Sequence, residues 1–250
     1  QAYVVNAGQS GFFRVLYDRA NLGRLRTSFS QLDSVDQLGI LLDYWAFGRS
    51  GDAPFSDYLD LTTAIPADAD PLIVMDTAAS MSTIAEWAEG RASEAGIKAY
   101  GVRVLRPHFE RVGWTPQAGE NSNVGRMRAT LIATLGQLGD EATIAEARRR
   151  VRGAQSDLSL LPAAIRSATI GVYARNATRE DYEALLAQAR SARDFVEQRR
   201  LWLQLASASD PALARRTLEM TNGEDIPRQI RTQVISTVSG EHNQMAWDFL

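Results

Sequence analysis

The sequence predicts an all-α fold, a HEAT/armadillo-like α-superhelix of antiparallel helix pairs preceded by a short β-hairpin. Three observations carry that prediction. Beyond Asp18, apolar residues recur at three- and four-residue spacings, in segments that open on capping residues and close on glycine or proline. These segments come as helix pairs repeating at roughly 35 residues without a fixed motif, the mark of a degenerate helical repeat. Residues 3–6 and 12–17 are instead rich in aromatic and β-branched side chains around Ala7-Gly8-Gln9-Ser10-Gly11, which reads as two strands and a turn. An isolated two-stranded hairpin is marginal in water, so these strands are expected to complete a sheet supplied from elsewhere.

The first helix is expected over 19–29. A second is expected over 33–49, with Asp33 at its N-cap and Leu38, Leu41, Leu42, Trp45 and Ala46 on one apolar face. Ser50-Gly51-Asp52-Ala53-Pro54 stops it, and the proline suits the start of a helix over 55–65 that ends at Pro66. Helices follow over 71–89 and 92–111, the latter kinked or ended by Pro107. Residues 113–123 form the one extended loop signal. Helices resume over 124–138, 141–151, 162–175, 179–191, 194–208, 211–221, 226–238 and from 244 onward. Asp140, Thr178 and Asp210 are capping candidates, Asp210 with Pro211 at the first helical position. Trp45, Trp87, Trp202 and Trp247 fall on apolar helical faces and read as core or helix-contact residues.

Composition narrows the function classes. The 250 residues are 45% hydrophobic and 23% charged, an ordinary globular composition able to bury a core without staples. A net charge of −3 argues against a nucleic-acid partner, which calls for a basic excess. No apolar run approaches the roughly 18 residues that span a bilayer, and no signal-peptide pattern opens the chain. The expectation is a soluble protein, and the lack of cysteine leaves cytoplasm and periplasm equally open.

Several ordered motifs carry a resemblance. The run Asn6-Ala7-Gly8-x-x-Gly11-Phe12-Phe13-Arg14-Val15-x-Tyr17-Asp18 is followed by Asp33-Ser34-Val35-Asp36-Gln37-Leu38 with Leu41, Asp43, Ala46, Arg49 and Gly51. Then come Trp114, Arg126-Met127-Arg128 with Leu131, Leu135 and Gly139-Asp140, Leu203 to Leu213, and Met245-Ala246-Trp247-x-Phe249. In this order the set resembles the C-terminal helical domain (endoplasmic-reticulum-aminopeptidase-like) of the aminopeptidase N and puromycin-sensitive family of gluzincin zinc aminopeptidases. Gln37 stands where that pattern commonly has arginine. The zinc-binding His-Glu-x-x-His and the Gly-x-Met-Glu-Asn exopeptidase motif do not occur in these residues; in the family they belong to an upstream catalytic domain.

The resemblance implies a non-catalytic domain that closes a substrate chamber and helps bind or size-select peptides. Its partners would be the upstream catalytic and β-domains of the same polypeptide, with zinc held in the catalytic domain and no cofactor in this chain. Residues 1–18 would be the hairpin of the preceding β-sandwich domain and 19–250 the helical domain. The alternative is an independent helical-repeat scaffold that binds a peptide or protein partner.

Site residues follow from both lines of reasoning. Arg126 and Arg128 open a helix after the long loop, where the helix dipole disfavours cations. They are candidates for the chamber wall, where a guanidinium fork suits a peptide carboxylate, against a structural salt bridge, which is the favoured reading of the two. Trp114 beside the loop is a third chamber candidate, and Arg14 and Tyr17 are domain-junction candidates. The arginines at 148, 149, 150 and 152 read as a solvated face with pairs at helical spacing. No catalytic or metal-ligating residue is assigned. His108 with Glu110, and His242, lack the spacing of a metal pair on one helix face. Exposed Phe12, Phe13 and Val15 on the hairpin would favour self-association.

Overall fold

The computed structural model describes residues 2–154 and 157–250. Among them are thirteen α-helices and no β-strand. The chain divides into two compact units, one up to Leu131 and the other from Ile132.

The first unit holds α1 (Arg19–Thr27), α2 (Ser34–Ser50), α3 (Phe55–Thr62), α4 (Pro71–Ala88), α5 (Glu94–Val112) and the start of α6 (Ser122–Gln137). Successive helices pack as pairs, α2 on α3 and α4 on α5. Asp18 caps α1 through the Asn21 N–H at 2.8 Å, and Asp70 caps α4 ahead of Pro71. Asp33 stands at the start of α2 without a side-chain cap bond. Pro107 does not end α5. Val104, Leu105, His108 and Phe109 are buried on both sides of it, and that packing offsets the roughly 3 kcal/mol a mid-helix proline costs. Gly51, at φ 85°, closes α2 in a left-handed turn that other residues resist.

The buried side of α2 differs from the expected stripe. It comprises Asp36, Gln37, Gly39, Ile40, Leu41, Asp43 and Tyr44, whereas Leu42 is 43% exposed. The reason lies in residues 2–18, which run against α2 and make no hairpin. Their reversal is a 3-10 turn, Ala7–Gln9, with Gly8 and Gln9 at positive φ. The Asn6 side chain accepts the Gly11 N–H at 2.8 Å and donates to the Gly11 carbonyl at 2.9 Å. The two strands expected here do not form, because the backbone groups of this segment bond side chains of α2 and of the segment itself and not a second strand.

The second unit contains the end of α6 and α7 (Glu141–Gly153), α8 (Ala163–Arg175), α9 (Arg179–Ser191), α10 (Phe195–Ala206), α11 (Pro211–Met220), α12 (Arg231–Glu241) and α13 (Asn243–Phe249). Asp140 caps α7, Thr178 and Asp181 form a reciprocal capping box on α9, and Asp210 caps α11 before Pro211. The core gathers around Trp202, fully buried among Leu185, Leu201, Leu205, Ile230 and Val234. Burying each such side chain is worth roughly 1.5–3 kcal/mol. Gly136 lets α6 approach α8, since a Cβ there would lie 2.4 Å from Val172 Cγ2. Of the tryptophans expected on apolar faces, Trp87 is 45% exposed yet stacks on Trp45 of α2, and Trp247 departs further. It is 74% exposed, because α13 turns Ala246 inward and packs Met245 and Phe249 against the core.

Candidate functional site

The first site is the strap formed by residues 2–17 over α2. Its backbone donors find side-chain acceptors. The Gly8 N–H donates to Asp36 at 2.8 Å, Val15 N–H to Asp43 at 2.9 Å and Tyr17 N–H to the Tyr44 hydroxyl at 3.2 Å. Asp36 and Asp43 lie seven residues apart, two helical turns, so one face of α2 presents them in line. Buried Asn21 behaves like a neighbouring strand toward Tyr3, accepting from its N–H at 3.2 Å and donating to its carbonyl at 2.9 Å.

Both junction candidates lie here. Tyr17 is buried, accepts the Val5 N–H at 3.1 Å and packs edge-on against Tyr3. Arg14 is exposed and stands 3.9 Å from Asp43. Burial pushes the Asp43 carboxyl above its ordinary value against the pull of the Val15 N–H and Arg14, and burial drives the Tyr44 hydroxyl up to about 12. The Gln9 side chain covers Gly39, where a Cβ would clash with it. A cleft of about 260 Å³ opens beside the strap between Phe12, Phe13, Arg14, Leu42 and Asp43. Val5, Phe12, Phe13 and Leu16 are all at least half exposed on the strap.

The chamber candidates separate. Arg128 is 1% exposed and holds Glu120 in a fork, 2.5 and 2.7 Å, while Nε reaches the Gly113 carbonyl at 3.0 Å. It also reaches the Val112 carbonyl, tying the end of α5 and the loop to α6. Its donors are occupied within the fold. Arg128 draws the Glu120 carboxyl down to about 2. Arg126, two residues earlier on the opposite side, is exposed and makes no ion pair among the described residues. Trp114 is half-buried and edge-on to Phe109, with ring centroids 5.5 Å apart.

Sequence reasoning missed a buried carboxylate in the second unit. Asp181 is fully buried and takes Arg148 at 3.0 Å and Arg152 at 2.9 Å from α7, beyond its capping bonds with Thr178. Only Arg149 and Arg150 pair with Glu146 at helical spacing as expected. Burial pushes Asp181 up, but the bonds from Arg152, Thr178 and Arg148 outweigh it and hold the carboxyl below its usual range. The acid at the third position of the α9 capping box was the available signal. His108 is buried, 3.3 Å from the Ala67 carbonyl, and burial lowers its pKa. His242 contacts the Ala208 carbonyl at 2.9 Å. Among the described residues no three His, Cys, Asp or Glu side chains gather as a metal site, and no helix is long and apolar enough to cross a membrane.

Comparison with known proteins agrees with the all-helical architecture. The family model described as "ERAP1-like C-terminal domain" matches residues 2–250. Aminopeptidase M1-A of Oryza sativa subsp. japonica is 29% identical over 98% of this chain, and Aminopeptidase M1 of Arabidopsis thaliana is 28% identical over 98%. In each case the match spans 29% of the relative's length. A Tricorn protease-interacting factor F2 of Thermoplasma volcanium matches 52% of the chain at 26% identity. The chain belongs to the family of ERAP1-like C-terminal domains.

Proposed function

We propose that this chain is the non-catalytic C-terminal domain of a zinc metallo-aminopeptidase whose polypeptide removes N-terminal residues from peptides. In this reading the domain closes the substrate chamber over the catalytic domain and limits peptides by size. The carrying observation is a match that covers 98% of this chain but only 29% of aminopeptidase-named relatives. Zinc chemistry belongs to the remainder of such a polypeptide.

The strap is the proposed junction with a preceding β-domain. Phe12, Phe13, Val5 and Leu16 form the apolar face that domain would cover, with Arg14 and Tyr17 holding the strap in place. Uncovered, the same face favours self-association. Arg126 is the retained candidate for a peptide carboxylate because its guanidinium is exposed and makes no ion pair among the described residues, and Trp114 is a candidate neighbour. Arg128 serves the loop instead.

The test is hydrolysis of fluorogenic aminoacyl substrates, with metal analysis, on these 250 residues and on the longer gene product. Activity and about one zinc in the longer product alone supports the reading. Activity or stoichiometric metal in the 250 residues overturns it.

A further inference from the structure

Two clefts meet on α9. The larger, about 590 Å³, has an apolar wall of Val151, Tyr173, Ala184 and Ala187 facing the charged Arg152, Glu180 and Asp181, the arginine paired with both acids. The smaller, about 350 Å³, is lined by Asp157, Arg166, Glu197 and Arg200. Gln188 and Ser191 border both, so the two clefts adjoin along α9. Each volume suits a small-molecule site.

The charges of the smaller cleft are only partly used. Arg166 places Nε and Nη2 on the carbonyls of Leu161 and Ser159, at 2.7–3.2 Å, and makes no ion pair among the described residues. Arg200 bonds Glu197 through Nη2, and its buried Nε has no acceptor among the described residues. Among the described residues the Asp157 carboxylate accepts only from Ser159, through its N–H and its hydroxyl. Two cations and two anions in one cleft create no net field for a polyanion such as a phosphate chain, and none for a polycation. Their complement is a small ligand that carries both signs close together.

We propose that these adjoining clefts bind an α-amino acid with an apolar side chain, such as leucine. Its carboxylate meets Arg166 and Arg200, its ammonium meets Asp157 and Glu197, and its hydrocarbon lies along Ala184 and Ala187. Such an amino acid is the product class of the reaction proposed above, so the site would couple this domain to product concentration. That consequence rests on the aminopeptidase reading; the binding does not.

The test is calorimetric titration of L-leucine into the full polypeptide that carries this chain. Arg166→Gln is expected to weaken a leucine-binding component at least tenfold, and Arg200→Gln to do the same should Arg166→Gln lower the melting temperature. Ala187→Trp, at an exposed position, is expected to weaken leucine tenfold and leave glycine unchanged. N-Acetyl-leucine lacks the ammonium and leucinamide lacks the carboxylate, so both are expected to bind at least tenfold more weakly. Tighter binding of Leu-Leu than of leucine supports the same charge complement and names a peptide as the source. Identical leucine isotherms for wild type and both arginine variants overturn the proposal, as does equal binding of either derivative. Arg166-dependent binding in a polypeptide that hydrolyses no aminoacyl substrate leaves this site standing and removes the aminopeptidase reading; hydrolysis without such binding does the reverse.

Discussion

Replacing Arg128 by methionine tests whether this residue is structural. The side chain is 1% exposed, and its donors serve the Glu120 carboxylate and the carbonyls of Val112 and Gly113. Methionine roughly keeps the volume and removes every one of those bonds. Stripping one partner from a buried ion pair costs roughly 3–5 kcal/mol. The Glu120 side chain keeps 17% exposure and regains part of its hydration when stranded, which places the loss near the lower end, about 3 kcal/mol. With a urea slope of about 3 kcal/mol/M, the unfolding midpoint should fall by about 1 M. Should the two units unfold separately, only the transition of the unit ending at Leu131 moves. Arg128→Lys keeps the charge but not the planar fork and should recover less than half of the loss. The pH dependence has a definite sign. Arg128 lowers the folded pKa of Glu120 from 4.5 to about 2, so the pair's stabilisation is complete above about pH 4.5 and drains away as pH falls toward 2. The methionine variant should be flat across that window. A lysine variant as stable as wild type, or a methionine variant with an unchanged midpoint, would refute the reasoning.

Asp181→Asn removes the charge that holds Arg148 and Arg152 and weakens the α9 capping box; a loss of about 3 kcal/mol is expected in a denaturant melt. Gly136→Ala places a methyl against Val172 and should cost roughly 1–3 kcal/mol, most of it restored by Val172→Ala in a double-mutant cycle. Asp43→Ala deprives the Val15 N–H of its acceptor, so faster hydrogen exchange at Val15 and quicker proteolysis between residues 10 and 16 should report a loosened strap. Unchanged exchange at Val15 would show that Asp36, Asn21 and Tyr44 hold the strap without Asp43.

Helix positions and caps were legible because they are local. Apolar spacing together with Asp140, Thr178 and Asp210 encodes them within one or two turns of chain. The family was legible too, through motifs whose order survives where their individual residues are common. Among the candidate residues, the sequence marked Arg126 and Arg128 as cations at an unfavourable helix end, but it had no means of separating them. One residue turns into the fold toward Glu120 and the other to solvent, a difference of about 200° around the helix that matters only once the loop lies over it.

Tertiary structure decided everything that depends on which group answers a distant partner. The β-rich start of the chain places its N–H groups on Asp36, Asp43 and Tyr44 of α2, so local propensity was overruled by where acceptors stood. The same contact turned acidic residues of α2 inward and pushed Leu42 outward. Arg148 and Arg152 have no acid three or four residues away on α7 and instead reach Asp181, some thirty residues on, because a buried carboxylate has no water to satisfy it. Periodicity and capping are written into neighbouring residues; the pairing of buried polar groups is settled only when separate elements exclude water together.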